Sequence, residues 1–446
     1  MTALRSRLKN KHFLSLTGNG IMSVLGMVNI ALLYRALPVA DVGKWVFFLS
    51  LLLLVDTFRS GFITTAFIKF YAGATPARRA EVAGSAWYVA GAITGTLLLL
   101  NLIALFFTGY ITNAGMLLFL RWFGITYTAT LPFFMATCVV QAEQRFDRLL
   151  YIRLINQGLF ILLVGLLIVT HTANLLYILY ANLIAAVVTS LVTLLAGWAR
   201  PGTFRSRTGG GIRELFHFGK YSVGTTLSSN MFRTSDTFII NFMLGPAALA
   251  VYNLGQRLME VIEIPLRSFA ATGMPELSAA YNQDNKELVI FTMKRYAGML
   301  TMALIPACLA AVAFSDIAIM IIGGSKYAGT EAANVLRIFM VFALLYPIDR
   351  FLALTLDVIH KPRVNFIKVL IMLAGSVAAS FTGVLLLGNI YGVAIGNIVP
   401  TLIGVAIGYR ALGRYLPFSL AGVYTVGYRE LKITAYRWLR KKAPSG

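Results

Sequence analysis

The sequence predicts an all-α integral membrane protein with about 12 transmembrane helices. Of its 446 residues, 58% are hydrophobic, and the mean hydropathy of +0.76 is far above that of soluble proteins. A helix needs about 20 apolar residues to cross a bilayer, and only helices or closed barrels satisfy their backbone polar groups there. The long apolar stretches therefore predict helical spans at residues 13–34, 43–68, 82–107, 114–140, 151–170, 174–198, 215–243, 248–270, 292–314, 332–356, 364–387 and 391–412.

The lysines and arginines between these spans fall mainly on one side. Thirty of the 39, with Arg267 and Lys368 counted among them, lie in the termini and connections of that side. Three lie on the other side and six lie inside spans. Because positive residues are retained on the cytoplasmic side, both termini are predicted to be cytoplasmic. This topology accounts for the net charge of +22 without nucleic-acid binding, and the cations near the membrane are expected to contact anionic lipids.

The chain also indicates a repeat of two halves with six spans each. A shift of 207 residues aligns 37–45 with 244–252, the outer turn between the first two helices of each half. A shift of 215 aligns 181–184 with 396–399 in the sixth span. Parallel repeats of this kind enclose a substrate site between the halves, so a central cavity is expected.

The predicted organisation has four parts. They are an N-terminal six-helix lobe at 1–199, a basic cytoplasmic linker at 200–214, a C-terminal six-helix lobe at 215–413, and a basic cytoplasmic tail with an amphipathic helix at 414–446. The glycine run at 209–211 is expected to be a flexible loop, because no strand or Lys-Ser/Thr pair accompanies it as in a phosphate-binding loop.

Ionisable residues inside the predicted spans are the candidate site. Each costs about 2.5–3.5 kcal/mol in mid-membrane and normally faces a cavity or a partner. Three i,i+3 pairs are expected to share helix faces: Asp56–Arg59, Arg233–Asp236 and Arg257–Glu260. A single polar stripe along the eighth span is expected from Arg257, Glu260, Glu263 and Arg267. The shift of 207 superposes Asp56 on Glu263. The residues are Asp56, Arg59, Arg121, Arg233, Asp236, Arg257, Glu260, Glu263, Arg337, Asp349 and Arg350.

All six bases among them are arginines, whose guanidinium fork binds an oxyanion through two hydrogen bonds. Arg121 and Arg337 lie nearest the outer interface and could instead extend to the headgroups. Asp56 and Glu263 carry the hypothesis of proton coupling. The alternative is that the pairs are internal ion pairs that tie helices together. The arginines expected to contact substrate are Arg59, Arg233, Arg257 and Arg350, with Arg121 and Arg337 as further candidates, and the carboxylates expected to couple or to pair are Asp56, Asp236, Glu260, Glu263 and Asp349.

No catalytic, cofactor or metal site is expected. The four histidines have no zinc-ligand spacing, and both cysteines fall inside spans, where apolar packing is typical. The predicted outer connections are too short for a folded domain. This argues against an integral membrane glycosyltransferase or polymerase, so the chain is not expected to be an enzyme.

Five short motifs spread along the chain are typical of one family of membrane transporters. They are Thr17-Gly18-Asn19, Leu33-Tyr34-Arg35-Ala36-Leu37-Pro38, Gly43-Lys44-Trp45, Met274-Pro275-Glu276-Leu277-Ser278, and Gly323 to Tyr327 with Val335-Leu336-Arg337-Ile338. In these motifs the chain resembles the polysaccharide transporter family, the O-antigen and exopolysaccharide flippases of the multidrug/oligosaccharidyl-lipid/polysaccharide exporter superfamily. The resemblance implies a flippase in the bacterial inner membrane that moves a polyprenyl-pyrophosphate-linked glycan. It also suggests a polysaccharide polymerase or assembly protein as a partner.

A drug/cation antiporter of the same superfamily is the main alternative. Such a transporter would need a buried carboxylate in a mostly apolar cavity. The first span of this chain has no acid, and bases outnumber acids by six to five within the spans. These two features favour an anionic substrate.

Overall fold

The computed structural model describes residues 11–442, and the regular elements of that range are all helices. The chain divides into two compact units. The first comprises Met1–Thr234 with Ile322–Lys326, and the second comprises Ser235–Ile321 with Tyr327–Gly446. The predicted cytoplasmic residues Arg5, Arg7 and Lys9, and the last four residues of the tail, lie outside the described residues.

The described part of the first unit contains seven complete helices and most of an eighth. Two 3₁₀ turns, Thr108–Tyr110 and Pro201–Ser206, connect them. The helices are α1 (Lys11–Ala36), α2 (Val39–Tyr71), α3 (Pro76–Phe106), α4 (Ala114–Ala129), α5 (Leu131–Ala142), α6 (Phe146–Val169), α7 (Leu175–Leu195) and α8 (Gly209–Met243), whose end belongs to the second unit.

The second unit contains the remaining ten helices, except for the last two residues of α12, which belong to the first unit. The 3₁₀ turn Ser325–Tyr327 follows α12. The helices are α9 (Pro246–Leu258), α10 (Glu260–Asn282), α11 (Lys286–Ala313), α12 (Ser315–Gly323), α13 (Ala332–Ala343), α14 (Tyr346–Val358), α15 (Pro362–Leu387), α16 (Ile390–Gly396), α17 (Ile398–Gly413) and α18 (Ala421–Lys442).

Short polar caps set the helix boundaries at several connections. The Asn113 side chain accepts a hydrogen bond from the backbone N–H of Met116 (3.0 Å), and Asn174 caps α7 in the same way. Proline begins α3, α9 and α15, where its missing N–H is not needed. Gly388 ends α15 with φ of +64°, a conformation that glycine adopts without strain.

Most of the predicted spans correspond to helices that can cross a membrane. Seven helical segments of the described chain are long and apolar enough, and two bent pairs bring the number to nine. The predicted spans 13–34, 215–243 and 248–270 are also helical, as α1, α8 and α9–α10, but do not meet that criterion of length and apolarity. Charged residues along α8 and α10 lower their hydropathy.

Two features of the repeat appear in both halves. The connections α1–α2 and α8–α9 are two-residue turns at Leu37-Pro38 and Leu244-Gly245, the positions that the shift of 207 aligns. The fourth predicted span of each half is broken, as α4–α5 and as α13–α14, and each break bends the chain by 47°. The two halves thus share local irregularities as well as helix order.

The glycine run at 209–211 is part of a helix, so the prediction of a flexible loop is wrong. The Thr208 hydroxyl accepts the N–H of Gly211 (3.0 Å) and caps α8. The segment before it packs on α3, where Trp87 Nε1 donates to the Ala199 carbonyl (2.8 Å). An ion pair between Arg78 on α3 and Glu214 on α8 also holds this segment against α3. The N-cap and these tertiary contacts overcome the low helix propensity of glycine.

The helix of the C-terminal tail begins at Ala421, whereas the basic residues of this helix begin only at Arg429. Its inner face carries Val423 and Gly427, both buried. Gly427 packs against Gly298 of α11 at a distance that leaves no room for a Cβ atom on either residue. The four-part organisation by residue range otherwise stays a prediction.

Candidate functional site

Arg59 on α2 is buried and engaged within the first unit. Its guanidinium donates to the Asp56 carboxylate (2.7 and 3.1 Å), the Tyr127 carbonyl (3.2 Å) and the Thr130 hydroxyl (2.8 Å). The rings of Tyr127 and Phe134 lie 4.1 and 4.7 Å from the guanidinium carbon. Only 3% of the Arg59 side chain is exposed. The predicted i,i+3 pair with Asp56 is therefore formed.

The partners of Arg59 lie at the bend between α4 and α5. A helix break frees backbone carbonyls that need other donors. Arg59 supplies a donor to the Tyr127 carbonyl, and Ser190 on α7 donates to the Ala129 carbonyl (2.6 Å). The surroundings of Arg59 are thus those of a residue that joins helices, and little of its surface is open to a ligand.

Asp236 on α8 is the centre of a buried polar cluster in the second unit. One carboxylate oxygen accepts hydrogen bonds from the Tyr252 hydroxyl and the Asn397 amide, both at 2.6 Å. The other accepts from the Ser380 hydroxyl at 3.0 Å. The Asn397 amide also donates to the Tyr252 hydroxyl (2.8 Å). Asp236 is only 6% exposed, and all three of these donors are neutral.

The cluster around Asp236 joins the end of α8 to three other segments of the second unit. Tyr252 comes from α9, Ser380 from α15, and Asn397 from the break between α16 and α17. The shift of 207 aligns Asp236 with Asn29 of the first half and Tyr252 with Trp45. The carboxylate is therefore a feature of the second half alone. The shift of 215 aligns Asn397 with Asn182 of the first half, but nothing in the sequence marks Asn397 or Ser380 as part of a site.

The polar stripe predicted near α9 and α10 consists of two exposed ion pairs. Arg257 pairs with Glu260 at 2.8 Å, with 44% and 42% of the side chains exposed. Arg267 pairs with Glu263, with 64% and 38% exposed. The helix is interrupted between Leu258 and Glu260, so the stripe crosses a helix break. These arginines remain accessible to an anion that could exchange with the carboxylates.

Three predicted arginines are exposed and make no hydrogen bond or ion pair with the residues whose side chains the structure describes. They are Arg121 on α4, Arg233 on α8 and Arg350 on α14. The predicted partner of Arg233 is Asp236, whose oxygens are occupied by the neutral donors described above. An exposed guanidinium without a carboxylate neighbour is available for an anionic ligand.

Asp349 forms a buried ion pair with a lysine that the sequence analysis placed in a connection. Lys368 Nζ donates to Asp349 Oδ1 at 2.7 Å, with 2% and 23% of the side chains exposed. Lys368 lies inside α15, a candidate membrane span, so its assignment to a cytoplasmic connection is wrong. Gly404 of α17 faces the carboxylate and leaves space for it. The clue in the sequence is that Lys368 falls within the predicted span 364–387.

Arg337 on α13 is held by polar groups of its own helix and of two neighbouring helices, α11 and α12. It pairs with Asp316 at the start of α12 and donates to the Asn334 side chain (2.6 Å) and the Val312 carbonyl (3.5 Å). The exposed fractions of the Arg337 and Asp316 side chains are 37% and 66%. The guanidinium is thus fixed in orientation but still partly open.

Among the residues that the structure describes, no three His, Cys, Asp or Glu side chains form a group that could hold a metal ion. Cys138 and Cys308 are free and buried, in agreement with the apolar packing expected for them.

Comparison with solved structures identifies the fold. An inward-facing MATE family multidrug resistance transporter of the MOP superfamily matches with a TM-score of 0.74 and 16% identity, over 88% of this chain and 94% of that one. The lipid II flippase MurJ in an inward closed conformation matches with a TM-score of 0.73 and 14% identity, over 96% of this chain and 92% of that one. A MOP superfamily transporter from Pyrococcus furiosus has a TM-score of 0.58 and 17% identity, over 92% and 95% of the two chains.

These matches define the class of protein. The chain is a multi-pass, all-α membrane protein with the two-lobe, 12-helix fold of MOP superfamily transporters, as the sequence predicts. Residues 32–332 match the family described as polysaccharide biosynthesis protein, and the chain belongs to that family. No curated protein matches the sequence.

Proposed function

We propose that this protein is a flippase that moves a polyprenyl-pyrophosphate-linked oligosaccharide across the bacterial cytoplasmic membrane by alternating access. Membership of a polysaccharide biosynthesis family and the fold of a MOP transporter support this class of substrate. The observation that carries the proposal is the set of arginines that remain exposed on helices of a membrane protein, above all Arg233 and Arg350. Such residues are functional candidates by default because their insertion is unfavourable.

In this proposal the arginines bind the pyrophosphate or the acidic groups of the glycan. Arg233 and Arg350 would contact the anion directly, since neither has a carboxylate partner in the described chain. Arg257 would first exchange Glu260 for the anion, which a half-exposed pair allows at small energetic cost. Arg59 is given no such role, because its donors are used at the bend between α4 and α5.

Asp236 is the carboxylate that we propose for ion coupling, in preference to Asp56 and Glu263. Both of those acids have an arginine partner, whereas the donors to Asp236 are neutral. A buried carboxylate without a cation is unfavourable unless it takes up a proton or an alkali ion. Such uptake and release would link substrate movement to an ion gradient.

A drug/cation antiporter remains the second candidate. The similarity to a MATE transporter and the buried Asp236 favour it, whereas the unpartnered arginines favour an anionic cargo. The two functions differ in the charge of the substrate that the protein would bind.

Purified protein in liposomes tests the proposal. The liposomes would carry a fluorescent polyprenyl-pyrophosphate oligosaccharide, and its appearance in the opposite leaflet would be followed with a glycan-binding lectin. We expect transport by the wild type, and a loss of at least about fivefold in Arg350→Gln. Transport of a lipophilic cation with no movement of the glycolipid would instead support the antiporter. The orientation of the termini and an interaction with a polymerase stay predictions.

A further inference from the structure

A cavity of about 150 Å³ lies within the second unit beside α12. Its walls are mostly apolar and include Ile317, Met320, Tyr327 and Ala333. Ile317 and Met320 are 54% and 59% exposed, so the cavity adjoins an apolar surface of a membrane protein. A cavity of this volume accommodates about six carbon atoms, judged by an engineered apolar cavity of similar size that binds benzene. That is the size of a short segment of a lipid chain.

The edge of the same cavity carries one anion and one cation. Asp316 lines the cavity and pairs with Arg337, which lies on α13. Asn334 accepts from Arg337 and donates to the Tyr391 hydroxyl (3.0 Å). The guanidinium is therefore positioned by the protein before any ligand arrives. Because 66% of the Asp316 side chain is exposed, both charges can be reached from outside.

This arrangement matches a lipid with two opposite charges in its headgroup. A phosphate would bind the guanidinium through charge-assisted hydrogen bonds, and a primary ammonium would donate to the carboxylate. A purely anionic headgroup would meet the repulsion of Asp316, and a choline headgroup has no N–H to donate. An apolar cavity beside the pair would receive part of an aliphatic chain.

We propose that the cavity beside α12 and the Asp316–Arg337 pair form a binding site for a zwitterionic phospholipid with an ethanolamine headgroup. In this site Arg337 binds the headgroup of a membrane lipid and not the transported glycan. It is independent of the proposed function, since it concerns a lipid of the surrounding membrane. Binding there would fix α12 and α13 to the bilayer at one depth.

Native mass spectrometry of the detergent-solubilised full chain tests this site. Dioleoyl lipids with ethanolamine, glycerol and choline headgroups would be titrated separately. We expect one tightly bound ethanolamine lipid per chain, with a Kd at least about fivefold below that of the other two. Arg337→Gln and Asp316→Asn should each remove this preference. Arg205→Gln changes an exposed arginine of the linker at 200–214 and should leave the preference for the ethanolamine lipid intact.

A separate variant tests the apolar part of the site. Ala328 lines the cavity but is exposed, so Ala328→Leu adds bulk there without disturbing the core. We expect weaker binding of all three lipids in this variant, with unchanged thermal stability. This result does not depend on whether the charge variants fold.

Two results would overturn the proposal. One is equal affinity for the ethanolamine and glycerol lipids in the wild type, which would mean that Asp316 does not select the headgroup. The other is displacement of the bound ethanolamine lipid by an equimolar polyprenyl phosphate, which would identify the occupant as the carrier chain of a substrate.

Discussion

Asp56 in the first unit and Glu263 in the second lie 207 residues apart, and each pairs with an arginine within one turn of its helix. In the first unit the arginine is buried and also bonds the backbone at a bend. In the second unit 64% of the Arg267 side chain is exposed. The same type of pair thus joins helices in one half and presents charge in the other. Burial and backbone partners decide between these roles, and sequence spacing does not.

The largest difference between the two pairs should appear in stability. Arg59→Met leaves the Asp56 carboxylate and the Tyr127 carbonyl without their donor, and breaking a buried pair costs about 3–5 kcal/mol. We expect little folded protein in size-exclusion chromatography. Arg267→Met, the matched change in the exposed pair, should alter stability by at most about 1 kcal/mol. Equal thermal stability of Arg59→Met and Arg267→Met would contradict the conclusion that only the buried pair stabilises the fold.

Lys368→Met should destabilise the protein nearly as much as Arg59→Met, because it leaves the Asp349 carboxylate beside Gly404 without a cation. The loss should be about 3–5 kcal/mol for this single change. The double variant Lys368→Met with Asp349→Asn should recover part of it, since no uncompensated charge remains. Thermal unfolding of the wild type, the two single variants and the double variant in detergent measures the coupling between the two residues. Additive losses would show that the ion pair contributes nothing of its own.

Asp236→Asn should lower transport strongly but change stability little. The amide keeps the size of the side chain but cannot take up an ion, so we expect at least about a tenfold loss of gradient-driven transport by the liposome assay. The melting temperature should change by only a few degrees. Asp56→Asn serves as the control for coupling and should retain a response to the gradient in the fraction that folds. Full gradient dependence in the Asp236 variant would remove this residue from the coupling mechanism.

The exposed arginines should affect transport by a smaller factor each. Arg233→Gln and Arg350→Gln should lower the rate about fivefold to twentyfold, and lysine in either place should restore little if two hydrogen bonds to one phosphate are needed. Arg205→Gln provides the control, as an exposed arginine of the linker at 200–214, outside the predicted spans. A rate in both variants equal to that of the control would exclude them as substrate contacts.

The smallest effect on stability should come from the side-chain contacts that hold the linker at 200–214 against α3. Hydrogen bonds from Thr208 and Arg78 hold the pKa of Glu81 below 4.5. Because the folded state lowers this pKa, the stabilising contribution is complete above about pH 4.5 and is lost as the pH falls through the folded value. We expect less than about 1 kcal/mol from these partly exposed groups. Protection factors for hydrogen exchange in residues 199–214, which correct for the slower intrinsic exchange in acid, should therefore fall below about pH 4.5 in the wild type and not in Glu81→Gln.

Hydropathy and charge were sufficient to predict the helical class, the two halves and the pairs Asp56–Arg59 and Arg257–Glu260. They could not predict which charges are buried, because that depends on contacts distant in the chain, such as those of Arg59 with Tyr127 and of Asp236 with Asn397. Lys368 was misplaced because a lysine near the end of a span is ordinarily assigned to the interface. The helix at the glycine run depends on the Thr208 cap and on packing against α3.

The central claim is that exposed arginines of this fold carry an anionic, lipid-linked glycan while the buried Arg59 maintains the structure. The most direct measurement is the binding of a polyprenyl-pyrophosphate oligosaccharide to purified protein, by microscale thermophoresis, for the wild type and for Arg233→Gln with Arg350→Gln. We predict binding by the wild type and at least about a tenfold weaker Kd in the double variant, with unchanged thermal stability. Equal affinity of the two proteins, or binding of lipophilic cations alone, would contradict the account.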